Sequence, residues 1–275
     1  MIKDILVNLS VDKPRDVAGD FAISVASLFD AHLSAVAVAY KAPIGSSILD
    51  GATAHFVDNW NAQRKAAAVQ AQQNFDKQAR LSSIRASSSL ITDHVSEAAQ
   101  IFGQTARHYD LSVVAQSEQD RDVLEILTLE AALFESGRPV LVVPYIQKTG
   151  IKLDRIMLCW DGSRNAARAV ADAMPLLKRA AQIDVVTVDS KEPRNNLPGA
   201  QIAEHLARHK FKVDLKSIVA PDSDVTNVIL SQAADSDTDL IVMGGYGHTR
   251  LREFILGGAT KGMLGSMTVP VLMSH

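Results

Sequence analysis

Between Asp239 and Leu264 the chain reads DLIVMGGYGHTRLREFILGGATKGML, an apolar strand pattern that runs into glycines and leaves as a helix. Five glycines fall in the fifteen residues from Gly244 to Gly258. At a strand–helix junction glycine has two chemical uses. It accepts positive φ in a tight turn. It also lets successive backbone N–H groups approach a ligand with no Cβ in the way. Such a nest suits an anion, and the following helix adds its positive end. Nucleotide phosphates fit that geometry. Gly244 and Gly247 are followed, after nine residues, by Gly257. That interval is just over two helical turns, so Gly257 and Gly258 can fold back towards the first cluster. Thr260 would add a hydroxyl. His248 would add a hydrogen bond, and Arg250 or Arg252 a positive charge. The alternative is that the glycines only cap and turn, with Gly262 and Gly265 easing helix packing.

Two known phosphate patterns do not fit. GGYGHTR lacks the Gly-Lys-[Ser/Thr] ending of a Walker A loop. The run also follows the fourth strand of its half rather than the first, unlike a dinucleotide fingerprint.

The elements that must position these residues are written twice. KDILVNL (Lys3–Leu9) matches DRIMLCW (Asp154–Trp160), YDLSVVA matches TDLIVMG, and RPVLVVP matches VPVLMSH, in the same order. Each half reads as five strands alternating with four helices. In the second half the strands are expected near Arg155–Trp160, Asp184–Val188, Lys212–Val219, Leu240–Gly244 and Val269–Met273. The helices are expected near Ser163–Ala181, Gly199–His209, Asp224–Asp235 and Arg252–Leu264. Four of the five strands are nearly continuous apolar runs, as strands covered on both faces should be. KVDLKSIV alternates and suits an edge. The fold class is therefore α/β: two tandem, doubly wound, five-stranded parallel-sheet domains with flanking helices. The domains are expected at 1–147 and 151–275, joined at QKTGIK. The first half carries about 20 extra residues by comparison of the repeat offsets, placed in a loop and a long Ala/Gln-rich helix within Ala54–Leu81. That helix reads as a surface helix over the sheet, with a partner-binding role as the alternative.

Composition excludes several classes. The formal charge is −3 over 275 residues, with no basic footprint for nucleic acid and no polybasic membrane patch. No apolar run approaches a bilayer span. The N-terminus reads as a strand rather than a signal peptide. The single cysteine, Cys159, reads as a small packing residue in a reducing compartment. A cytoplasmic protein is expected. His205 and His209 share a helix face but lack the glutamate of a zinc hydrolase. No nucleophile elbow, Cys/His pair or paired carboxylates stand out, so no catalytic residue and no metal site is assigned.

The pattern G-x-x-G-x9-G after the fourth strand, followed by VPVLM and preceded by IMLCWDGSRNAARAVADAMPLL, resembles the universal stress protein family. The resemblance extends over the whole chain as a tandem protein. It implies an adenine nucleotide alpha hydrolase-like, Rossmann-like fold that binds ATP, with Mg²⁺ as a companion ion. It places Asp161 and Gly162 near the nucleoside and the backbone of strand two, Val186 to Val188, against the adenine. It carries Gly244, Gly247 and Gly257 over as the phosphate-facing positions; Met243, His248, Arg250, Gly258, Ala259 and Thr260 complete the candidate nucleotide-binding residues. Gly258 stands where the family has Ser or Thr, which removes a hydroxyl from the terminal phosphates. The family also implies that the two final strands pair edge to edge.

The first half lacks these features. Its corresponding segment has no glycine before Gly137; Glu118, Asp120 and Asp122 fall in the turn, and Ser10 aligns with Asp161. Three carboxylates would repel phosphates. That half is expected to fold without binding nucleotide. Taken together, a stress-response sensor or regulator is expected, with ATP or a related adenine nucleotide in the second half, an unknown protein partner and a homodimer as its assembly. The alternatives are a nucleotide-free interaction protein and a weak ATPase.

Overall fold

The structure, a computed structural model, describes residues 1–42, 51–118, 123–189, 199–220, 225–245 and 258–275. The chain divides into two compact units. One holds Met1–Arg138 with Lys148–Gly150; the other holds Pro139–Gln147 with Ile151–His275.

The first unit runs β1 (Asp4–Asn8), α1 (Val17–Phe29), β2 (His32–Tyr40), α2 (Gly51–Leu81), β3 (Ala86–Asp93), α3 (Val95–Ala106), β4 (Leu111–Ala115) and α4 (Val123–Glu135). Its strands lie in the order β3-β2-β1-β4 and pair in parallel. Ile5, Leu6 and Val7 are fully buried, as expected of a strand covered by helices on both faces. β3, ASSSLITD, is the half-exposed edge. Helix α2 packs on β2 and β3 through a thin stripe of Ala68, Phe75 and Ala79. Alanine at such a stripe lets the helix backbone approach the sheet closely. The surface-helix reading of this segment therefore matches its packing.

The second unit runs β5 (Val140–Val143), β6 (Arg155–Cys159), α5 (Arg164–Leu177), β7 (Gln182–Asp189), α6 (Ala200–Arg208), β8 (Val213–Val219), α7 (Val225–Asp235), β9 (Leu240–Gly244), α8 (Gly258–Ser266) and β10 (Val271–Ser274). Its strand order is β5-β10-β9-β6-β7-β8, parallel from β10 to β8. The reversal of order between β9-β6 and β6-β7 makes the carboxyl ends of those strands a topological switch point. β8 is the half-exposed edge anticipated from its alternation.

β5 differs from the expected five-strands-per-domain division. It belongs to the second unit and runs antiparallel to β10, with Val142 opposite Val271 and Val140 opposite Met273. The physical reason is edge protection. A bare β10 would present unpaired N–H and C=O groups, and VLVV, fully buried, covers them. The implied pairing of the two final strands is present.

Candidate nucleotide-binding corner

The second unit's switch point is built by the sequence Cys159-Trp160-Asp161-Gly162-Ser163. β6 ends at Cys159, and the Trp160 N–H donates to the Val186 carbonyl at 2.9 Å. Gly162 then takes φ +75°, a left-handed turn, with no described residue within 4 Å of where a Cβ would stand. The Asp161 carboxylate accepts from the Ser163 N–H at 2.9 Å, and the Ser163 hydroxyl oxygen accepts from the Ala166 N–H at 3.1 Å. Ser163 is thus the N-cap of α5. Each residue type serves one step: turn, positive φ, cap. The result leaves Asp161 and Gly162 exposed at the strand end.

Backbone groups on a β-strand alternate between neighbours. The Val186 carbonyl is used by Trp160. Val188, two residues on, turns its N–H and C=O to the same side, beyond the point where β6 stops. Of the residues anticipated for adenine contact, Val188 therefore faces the corner, while Val186 is part of the ladder and 1 % exposed.

On the other flank β9 delivers Met243, 7 % exposed, and Gly244. A Cβ on Gly244 would lie 2.6 Å from the Ala166 nitrogen and 2.7 Å from the Asn165 carbonyl carbon. Glycine is required here by the close approach of the first turn of α5. Gly245 is then pinned. Its N–H donates to the Ser274 carbonyl at 2.8 Å. Its carbonyl accepts from Asn165 Nδ2 and lies 3.1 Å from His275 Nδ1, which is 3.0 Å from Asn165 Nδ2. Sequence reading singled out neither Asn165 nor His275. An asparagine at a helix start carries no signal of a partner 80 residues away.

Gly247, His248, Arg250 and Gly257 lie outside the described residues, as does Arg252. Gly258 opens α8, with Ala259 exposed and Thr260 buried at 5 %. The Thr226 hydroxyl donates to the Ala259 carbonyl at 3.3 Å and would sit 2.7 Å from a Cβ on Gly262. Gly262 is thus a packing glycine, as its alternative reading held.

Burial pushes the Cys159 thiol up to about 12, and the Asp161 carboxylate adds to the effect. Cys159 is a protonated thiol at neutral pH, not a nucleophile. The His205 and His209 rings stand 4.9 Å apart, edge to face. Among the described residues no group of three His, Cys, Asp or Glu side chains is arranged so that it could hold a metal ion.

Sequence reading also missed a buried charge cluster nearer the amino ends of the strands. The Asp184 side chain is fully buried and accepts from Arg155 Nη1 and Lys216 Nζ, both at 2.9 Å. Lys216 also donates to Ser236 Oγ at 2.9 Å. Burial alone would raise this carboxyl; the Lys216 and Arg155 hydrogen bonds and charges outweigh it and hold the pKa below the ordinary range. These three residues sit on three adjacent strands, so only the sheet register brings them together.

Residues 152–275 match the model of the universal stress protein family. The second half of the chain is therefore similar to the domain of that family. Universal stress protein Slr1230 of Synechocystis sp. is 24 % identical over 147 residues, which is 52 % of this chain. The match spans about half the length of that curated relative, 49 %. A universal stress protein from Archaeoglobus fulgidus DSM 4304 superposes with a TM-score of 0.69 at 15 % identity, over 98 % of this chain and 95 % of that one. A protein of unknown function from Pseudomonas aeruginosa PAO1 gives 0.59 at 17 % identity, over 99 % and 92 %. These structural likenesses show the fold across both halves of the chain. No helix among the described residues is long and apolar enough to cross a membrane.

The first unit places its counterparts differently. Ser10, aligned with Asp161, donates its N–H to Asp16 Oδ1 at 3.2 Å. Glu118 pairs with Lys13 at 3.3 Å. Asp120 and Asp122 lie outside the described residues.

Proposed function

We propose that the second unit binds ATP or a related adenine nucleotide and that the protein acts as a nucleotide-dependent sensor through protein contacts. The observation that carries this reading is the β6–β7 corner. An exposed carboxylate on Asp161 can accept from ribose hydroxyls, and the open Gly162 turn leaves room beside it. The Val188 backbone can offer one donor and one acceptor to an adenine edge. The described residues thus fit the nucleoside end. The phosphates would be held by Gly247, Gly257 and Gly258, with His248 and Arg250 beside them and α8 presenting its N-terminal N–H groups. Thr260 would act from inside α8 rather than as an exposed hydroxyl. A single carboxylate does not make a Mg²⁺ site, so the ion would come with the nucleotide. The described residues bring no activated nucleophile or base to the corner, which supports reading the activity as binding, with a weak ATPase as the alternative and a homodimer as the proposed assembly.

One observation favours the nucleotide-free reading. Gly244 is explained by its approach to α5, so that glycine does not by itself argue for phosphate. Calorimetric titration of Mg-ATP into the whole chain decides between them. One site per chain is expected, lost in Gly247→Val and weakened about tenfold or more in Asp161→Ala. Absence of heat and of bound nucleotide in the wild type sinks the nucleotide reading.

A further inference from the structure

We propose that the first unit carries its own internal occupant: the Trp60 indole, supplied by α2, stands at the corner of β1 and β2 that corresponds to the nucleotide corner of the second unit. The inference rests on the β6–β7 corner being the nucleotide position.

The two corners match rung for rung. The Leu9 N–H donates to the Val36 carbonyl at 2.8 Å, as the Trp160 N–H does to Val186 at 2.9 Å. Beyond this rung β2 continues to Tyr40, and the chain leaving β1 reaches Asp12, at φ +62°. Arg64 spans the gap between them. Its Nη1 donates to the Asp12 carboxylate and to the Tyr40 hydroxyl, the latter at 3.3 Å. Its guanidinium lies 5.5 Å from the Tyr40 ring centre and 5.0 Å from that of Trp60. Trp60 meets Tyr40 edge-on at 6.4 Å, and the Phe56 ring, one helical turn away, lies tilted at 6.3 Å from it. Asn61 Oδ1 accepts from the Ala42 N–H at 3.0 Å, tying the chain that leaves β2 to the same turn of α2.

Trp60 and Arg64 are one helical turn apart and so act from one face. A planar ring held against an aromatic edge with a cation over its face is how proteins hold a flat heteroaromatic ligand. Here the ring is covalently part of the chain. The segment that provides it is the first half's extra length: α2 has 31 residues, whereas α6, at the same place in the second half, has 9 and no Phe, Tyr or Trp. The first unit is then silent towards nucleotide for two independent reasons. It has no glycine turn, and its base position is filled.

The chain has two tryptophans, one at each corner, so single-tryptophan versions of the full protein read the corners separately. In Trp160→Phe, the remaining Trp60 is expected to be quenched by acrylamide about fivefold less than N-acetyltryptophanamide, with emission unmoved by millimolar Mg-ATP. In Trp60→Ala, which keeps helix propensity, trypsin is expected to cut after Arg64 and Lys65 about tenfold faster than in wild type. Millimolar free indole should slow that cutting again by refilling the corner. Free quenching of Trp60, a Mg-ATP-dependent shift of its emission, or failure of indole to restore protection overturns the proposal. Trp160 in the Trp60→Phe chain reports the nucleotide reading on its own. No response there to Mg-ATP removes that reading without touching the quenching and indole results.

Discussion

The corners of the two units start from the same backbone rung and end in opposite states. In the second unit, Asp161 and Gly162 are exposed, and no described residue lies within 4 Å of where a Cβ on Gly162 would stand. In the first, Arg64 closes the gap from Asp12 to Tyr40, with Trp60 beneath it. A second acid of the chain leaving β1, Asp16, is turned inwards to cap α1, accepting from the Gly19 N–H at 3.0 Å and from the Ser10 N–H. A parallel sheet with flanking helices therefore fixes where a ligand could sit. The segments leaving the strands decide whether one does.

The units should also differ in what holds them together, and the largest expected effect lies in the second. Asp184→Ala removes the buried carboxylate that the partly exposed Arg155 and Lys216 share. A loss of about 3 kcal/mol is expected from the two charged hydrogen bonds, confined to the unfolding of the second unit. Urea denaturation followed through Trp160 and through Trp60 separately checks it. Equal destabilisation seen by both probes would show that the units do not unfold independently.

The next effect lies in the first unit and depends on pH. Burial raises Asp16 from 3.8 to about 6, despite the lowering effect of the Gly19 and Ser10 N–H groups. The folded state therefore holds this proton more tightly than the unfolded chain. The associated stabilisation is complete below 3.8 and is lost as pH rises through about 6. At about 1.4 kcal/mol per unit, the loss is up to about 3 kcal/mol. Asp16→Asn keeps a capping side chain and should flatten the dependence between pH 4 and 7 in urea midpoints followed through Trp60. An unchanged slope would place the titration elsewhere.

The smallest effect separates packing glycines from open ones. Gly244→Ala drives a Cβ into the backbone of α5 and should cost about 1–3 kcal/mol. Gly162→Ala meets only a left-handed φ in open space, at about 1 kcal/mol. Thermal melts of the ligand-free protein rank them. A reversed order would mean that the first turn of α5 gives way to the added Cβ.

Much of this was legible in one dimension. The repeat, the alternation of strands and helices, the half-exposed β8 and the DGS turn with its Ser163 cap all follow from local pattern, because periodicity and cap chemistry act over a few residues. So does the surface role of α2, although the structure showed that Ala68 and Ala79, beside Phe75, are the residues it buries, while Phe56 is exposed. Sequence determined the family resemblance and the asymmetry of the two halves for the same reason: glycines and acids can be counted in place. Tertiary structure alone decided the rest. It assigned β5 to the second unit, since edge pairing joins segments far apart in the chain. It gathered Arg155, Asp184 and Lys216 through strand register. It gave Gly244 a packing role against Asn165, and it brought Trp60 and Arg64 to Tyr40 and Asp12. These contacts join segments far apart in the chain, and only the assembled sheet and its helices set the distances between them.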